Sequence, residues 1–310
     1  MARGMKRDAD PVDGLLLLNK PSGMTSNRAL QLVRRLLNAR KAGHTGSLDP
    51  AATGMLPLCF GEATKVCAYL LDADKRYRVT AKLGSATDTG DGDGHQTESK
   101  TVPVLSANEW HDVLQGFCGE STQIPPMYSA LKKDGKRLYE LARKGEVVER
   151  EPRAIRIDAI RLLEQAGDRL VFRVTCSKGT YIRVLVEDIA HRVGTVAHTA
   201  QLHRESVGDF ECENMLDMAA VEALAEQGLA PLRARLLPAD VALTDMPGIS
   251  IDVEDAERFC GGQTVAVDVE EEDGLARVYE ADKRFLGVGE LSGEGMLAPR
   301  RVFLTQEETP

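Results

Sequence analysis

From Gly43 to Lys65 the chain reads GHTGSLDPAATGMLPLCFGEATK, and the nineteen residues before Glu62 hold one carboxylate, Asp49. Charged residues make up 28% of the whole chain, so this stretch is depleted of charge. What remains is glycine, small hydroxyls, two prolines and one histidine, His44. Glycines at 43, 46 and 54 let backbone approach a ligand closely. An Asp before a proline often serves only to start a turn, by accepting bonds from nearby N–H groups. A lone carboxylate in apolar surroundings has its pKa raised unless a cation holds it ionised. Held that way, Asp49 is equipped to act as a nucleophile or a base without a metal.

The cation must come from elsewhere in the chain. Arg183, in KGTYIRVL, follows an apolar strand and opens a helix. Facing inward it needs a carboxylate, and facing outward it is an ordinary helix arginine. Tyr77 is either a core residue of its strand or a platform on which a base stacks. His44 fits a hydrogen-bonded turn equally well.

Gly14 to Asn19 reads as a short buried strand stopped by KPSG. Ser26 fits a helix N-cap, followed by Ala29, Leu30, Leu32, Val33, Leu36 and Leu37 at helical spacing. Arg76 to Leu83 alternates as a strand with Tyr77, Val79, Ala81 and Leu83 on one face. SANE at 106–109 is a capping box for a helix through Leu114. The proline-led segment from Gln123 has a basic, helical middle. Arg169 to Ser177 is a strand that turns into an amphipathic helix. DTGDGDGHQTE is an acidic glycine loop that fails the EF-hand pattern, with His95 where a ligand belongs. After Ile249, short strands with periodic glycines mark a small β domain, with a boundary between Pro238 and Pro247. Strands and helices mix without a βαβ rhythm, which predicts an α+β fold or mixed sheet.

A chain of 310 residues is long enough for one large domain or two. Its net charge of −9 counts against a nucleic-acid partner until the distribution is read. Residues 249–310 carry 6 Lys/Arg and 15 Asp/Glu, so the other residues balance to zero. Residues 14–48 hold six basic side chains and no acid, and residues 132–156 hold nine basic against five acidic. At physiological salt each charge acts over about 8 Å, so these two regions can follow a phosphate backbone even in a neutral domain. The six cysteines are scattered without a C-x-x-C pair, as in reduced cytoplasmic proteins. The opening residues lack the apolar run of a signal peptide, and no stretch is long enough for a membrane helix. The phosphate-binding loop, dinucleotide, zinc-protease and serine-hydrolase signatures are also missing.

GHTGSLDPAATGMLPLCFGEATK, preceded by LLLLNKPSGMTS and followed by DADKRYRVTAKLG, closely resembles the bacterial tRNA pseudouridine synthase B family. IPPMYSALKKDGKRLYELAR and CSKGTYIRVLVEDIA resemble further blocks of it, so the likeness covers most of residues 14–210. The resemblance implies a pseudouridine synthase catalytic domain over 1–245, with a mixed, mainly antiparallel sheet. An RNA-binding insertion at about 125–153 and a small C-terminal β-barrel of the PUA type over 246–310 go with it. It implies isomerisation of uridine at position 55 in the T loop of tRNA, with no cofactor, no metal and no obligatory protein partner, in the cytoplasm. By the same resemblance Asp49 is the catalytic aspartate, Tyr77 stacks on the target uracil and Arg183 pairs with Asp49. His44, Tyr181 and Leu202 line the bound nucleotide, and Lys20 in NKPSG is mainly structural. Lys132, Lys133, Lys136 and Arg137 meet the RNA backbone. The acidic charge of 249–310 departs from what an RNA-binding PUA module implies, so the EEED acids are expected to face away, leaving Arg300 and Arg301 as the C-terminal contacts. Two other readings stand beside this one: a guide-RNA-dependent synthase subunit, and an RNA-binding or chaperone protein without catalysis.

Overall fold

The computed structural model describes residues 9–133, 135–269, 273–281, 284–292 and 295–303. Its central feature is a mixed sheet. The strands are β1 (Gly14–Lys20), β2 (Ala42–His44), β3 (Thr53–Phe60), β4 (Lys75–Leu83), β5 (Gly119–Gln123), β6 (Arg153–Ala166), β7 (Arg169–Cys176), β8 (Ala197–Val207) and β9 (Leu216–Asp217). Their order is β9-β1-β3-β8-β4-β7-β6-β5, with β2 added to β3. Only β1–β9 and β3–β8 run parallel. The expectation of a mixed, mainly antiparallel sheet therefore holds.

One face of β4, β7 and β8 packs Val79, Leu170, Phe172, Val174 and Ala197 against Trp110 and Leu114 of α2 (Ala107–Gln115) and Leu185 and Ile189 of α3 (Ile182–Arg192). The capping box of α2 is present as expected: Ser106 Oγ accepts from Glu109 N–H, and the Glu109 carboxylate accepts from Ser106 N–H. At the other end of the sheet, Leu16, Leu18, Leu56 and Leu58 bury against Ala29, Leu30 and Val33 of α1 (Ser26–Leu36).

The N-cap of α1 differs from expectation by one residue. Thr25, not Ser26, caps the helix by accepting from Arg28 N–H at 3.2 Å. Ser26 is free to do something else. Leu48 N–H donates to its Oγ at 2.8 Å, and the hydroxyl donates back to the Leu48 carbonyl at 3.1 Å. The helix start thus grips the segment carrying Asp49.

The C-terminal part is an open five-stranded half-barrel sheet formed by β10 (Gly248–Ile251), β11 (Val265–Ala266), β12 (Gly274–Glu280), β13 (Phe285–Ser292) and β14 (Met296–Val302), in the order β10-β12-β13-β14-β11. Among the described residues β10 and β11 stand at the two ends of this half-barrel, the form in which the expected small C-terminal β domain occurs. Helix α4 (Val253–Cys260), which the sequence reading did not predict, lays Ala256 and Phe259 into its core. On its far side Val288 and Phe303 join Leu15, Leu17 and Met55 in a shared core. Lys65 reaches across to donate to the Val302 carbonyl at 2.6 Å. Of the EEED acids, Glu270 to Glu272 lie outside the described residues. Arg300 is ion-paired with Glu290 and Arg301 is exposed.

Candidate active site

Asp49 sits in the loop between β2 and β3, and four devices fix that loop. Ser26 holds Leu48 as described. Lys20, fully buried at the end of β1, donates from Nζ to the carbonyls of Pro21 (2.8 Å), Met24 (2.7 Å) and Pro50 (3.2 Å). Burial lowers its pKa to about 8. Arg204, 1% exposed on β8, donates from Nε to the Met55 carbonyl at 2.7 Å and from Nη2 to the Gly46 carbonyl at 3.0 Å. One guanidinium therefore pins both ends of the loop. Finally, Gly54 has φ +101°, and a Cβ there would lie 2.3 Å from the Arg204 carbonyl oxygen. Only glycine lets β3 and β8 approach so closely.

The loop faces a cleft of about 320 Å³, whose lining includes Asp49, Tyr77, Tyr181, Arg183, Leu202 and Arg204. Arg183 points inward: its Nε lies 3.0 Å from Asp49 Oδ2. The two remaining guanidinium nitrogens donate to the carbonyls of Thr89 and Tyr128, each at 2.7 Å. Asp91, from the acidic glycine loop, stands 3.7 Å from Nη1. Arg183 thus spends one nitrogen on Asp49 rather than a two-pronged fork, and its other contacts hold it rigid. Its side chain is 6% exposed while that of Asp49 is 43% exposed. The carboxyl is therefore packed closely on the protein side and open toward the cleft.

Burial raises the Asp49 carboxyl above its ordinary value, and Arg183 opposes that shift, with Lys20 helping and Asp91 and Asp93 working against. If the ionised carboxylate is the working form, the rate should fall on acidification with a midpoint above 3.8. Single-turnover rates across the acidic range measure this, and a midpoint at or below 3.8 would contradict it.

Tyr77 lies on β4 beside Arg204, its cross-strand partner on β8, and burial raises its phenol. Tyr181 is the N-cap of α3 and Leu202 sits on β8 opposite Val79. These residues and the Asp49–Arg183 pair meet in one cleft. His44 does not line it. It lies on β2 with Nδ1 buried and unpartnered, and burial, then the Arg204 charge, favours the neutral imidazole. Lys132, Lys133, Lys136 and Arg137 form an exposed two-stranded hairpin outside the cleft. A roomier hollow of about 510 Å³ between Tyr69, Phe210 and Met246 contains none of the residues singled out from sequence. Chemistry, not size, distinguishes the cleft.

Sequence alone does not mark Arg204, Ser26 or Asp91 as site residues. A signal existed for Arg204, because period-two alternation on β8 puts it on the same face as Leu202. Ser26 and Asp91 act through contacts distant in sequence that no spacing reveals.

Family models cover nearly all of the described chain. Residues 34–182 match the TruB family pseudouridylate synthase N-terminal domain, 183–244 the tRNA pseudouridylate synthase B C-terminal domain, and 247–303 the pseudouridine synthase II TruB C-terminal model. The tRNA pseudouridine synthase B of Ectopseudomonas mendocina (strain ymp) is 50% identical over 302 residues, covering 97% of this chain and 98% of that protein. The protein of the same name from Dechloromonas aromatica (strain RCB) is 52% identical over 297 residues, covering 96% and 97%. The chain belongs to the TruB family.

TruB-family membership makes it an isomerase that forms pseudouridine. Solved structures carry the same fold at low identity. A Cbf5-Nop10-Gar1 complex matches with a TM-score of 0.74 at 23% identity, over 95% of this chain and 86% of that one. An H/ACA RNP bound to a substrate RNA containing 2'-deoxyuridine matches with a TM-score of 0.73 at 22%, over 96% and 87%. Among the described residues of this TruB-family chain, no helix is long and apolar enough to cross a membrane.

Proposed function

We propose that the chain converts uridine to pseudouridine at position 55, in the T loop of tRNA, with Asp49 as the catalytic carboxylate. The observation that carries this reading is the Asp49–Arg183 contact of 3.0 Å at the edge of a cleft shared with Tyr77. The reaction breaks the N1–C1′ bond, turns the uracil and rejoins it through C5. N1 gains a proton and C5 loses one, so the product is an isomer and no electrons are exchanged. An ionised carboxylate at the sugar–base junction supplies the nucleophile or base that the bond cleavage needs. The target uridine leaves its stack to enter the cleft, where Tyr77 offers it an aromatic face. Tyr181 and Leu202 bound the remaining walls.

The division of labour follows the chain. Residues 1–245 carry the chemistry, and residues 246–310 make an accessory RNA contact through Arg301. The insertion at about 125–153 covers the bound loop. The protein works without a cofactor or an obligatory partner, in the cytoplasm. Purified protein incubated with unmodified tRNA transcript tests this: conversion of the T-loop uridine without any guide RNA supports it. Conversion only with a guide RNA and added proteins assigns the chain to the guide-dependent class, and binding without conversion assigns it to the chaperones.

The exposed hairpin gives a separate expectation. Each single-strand phosphate neutralised contributes a slope of about −0.7 to log affinity against log salt. Replacing Lys132, Lys133, Lys136 and Arg137 by Ala should flatten that slope in a filter-binding titration of a T-arm stem–loop. An unchanged slope removes the hairpin from the RNA interface.

A further inference from the structure

Gln123 ends β5 at the root of the insertion, and it is 5% exposed. Its side-chain amide makes two bonds to one residue. Tyr181 N–H donates to Gln123 Oε1 at 2.7 Å, and Gln123 Nε2 donates to the Tyr181 carbonyl at 3.1 Å. This is the paired pattern a neighbouring strand would offer, supplied by a side chain 58 residues away in sequence. Among the described residues the N-cap Tyr181 makes no side-chain capping bond; the Gln123 amide holds the backbone at Tyr181, and just before it Thr180 Oγ1 donates to the Ser177 carbonyl at 3.0 Å. Arg183 lies in this first turn. Its Nη2 donates to the carbonyl of Tyr128, five residues beyond Gln123. The short segment from Gln123 to Tyr128 therefore grips the backbone at Tyr181 and the guanidinium of Arg183.

We propose that Gln123 is a positioning residue for the isomerisation. It sets the first turn of α3, and through that turn it aims Arg183 and Tyr181 at Asp49. Gln123 is outside the lining of the cleft, so it acts through these residues and does not touch the base. Only an uncharged amide of this length both accepts from the Tyr181 N–H and donates to its carbonyl. The root of the insertion and the catalytic pair form one connected unit, with rotation of α3 the motion that Gln123 blocks. A displacement of about 1 Å at a reacting centre can cost roughly 100-fold in rate.

The inference rests on the reading of Asp49 and Arg183 as the chemical pair. That reading fails separately, if wild-type protein makes no pseudouridine or if Asp49→Asn turns over within about tenfold of wild type. The test uses Gln123→Met, which keeps the length and loses both bonds, and Gln123→Leu as a second variant. Single-turnover rate, T-arm stem–loop affinity and melting temperature are measured together on the full chain. The expected result is a rate about 10- to 100-fold below wild type, with affinity changed less than about threefold. A rate within about twofold of wild type overturns the proposal. So does a parallel loss of affinity and rate, or a collapse of melting temperature in both variants, because each marks Gln123 as a residue of the fold only.

Discussion

Asp49→Asn will bind a T-arm stem–loop as wild type does and make about 1,000-fold less pseudouridine, or none. Asparagine keeps the shape and the turn, including the bond from Ala52 N–H to the Asp49 carbonyl. What it loses is the negative charge and the nucleophile. The fold should not suffer. Burial raises the native Asp49 pKa, so the native state favours the protonated form relative to the unfolded chain. That contribution is complete below 3.8 and is lost as pH rises through the raised native value. At neutral pH the ionised carboxyl is therefore a stability cost, and an uncharged amide avoids it. The melting temperature of Asp49→Asn should equal or exceed that of wild type. Turnover within tenfold of wild type would refute the catalytic role, because loss of a nucleophile or general base leaves a larger deficit. A large drop in melting temperature would refute the electrostatic account.

Arg183→Ala should abolish activity and also weaken the fold. The buried guanidinium has its charge partner at Asp49 and two backbone carbonyls, those of Thr89 and Tyr128. Removing it takes the donor away from two part-buried carbonyls and loses the packing of the guanidinium on the cleft wall, at about 2–4 kcal/mol in all. The ion pair itself adds little to that figure, because Asp49 is 43% exposed at its side chain. The functional loss is larger. Without the arginine the Asp49 pKa rises further, since Arg183 is the main influence holding it down. The carboxyl is also free to rotate out of line. A rate loss of at least about 100-fold is expected. Arg183→Lys restores the charge, but one ammonium cannot meet Asp49, Thr89 and Tyr128 at their three separate positions. Its rate should fall between those of alanine and wild type. Equal rates for Arg183→Ala and wild type would exclude the pair from the chemistry. A wild-type rate in Arg183→Lys would show that charge alone is enough.

Much of this architecture is legible in the sequence where local physics decides it. Alternation fixed the β4 strand around Tyr77, and SANE announced the start of α2, because both signals depend on neighbours in the chain. The charge-poor loop around Asp49 pointed to a site, because stripping charge from an acid-rich chain has few structural reasons. The shift of the α1 cap from Ser26 to Thr25 was not legible. Either hydroxyl suits the helix, and a contact with Leu48, 22 residues away, decides between them. The same holds for Arg204 at Gly46 and Met55, and for Gln123 at Tyr181. The helix α4 in the C-terminal sheet was masked by its surroundings of glycines and short strands. In sequence Asp91 belongs to a loop that fails the calcium pattern, while in the structure its carboxylate lies 3.7 Å from Arg183 Nη1. Site residues that act by gripping distant backbone leave no periodicity to read.

The most direct test of the account is pseudouridine mapping at single-nucleotide resolution. Purified protein and, separately, Asp49→Asn are incubated with full-length unmodified tRNA transcript, with no guide RNA and no other protein. The account predicts one new pseudouridine, at position 55 in the T loop, with wild type and none with Asp49→Asn. Modification at another position, no modification by wild type, or equal modification by the variant would contradict it.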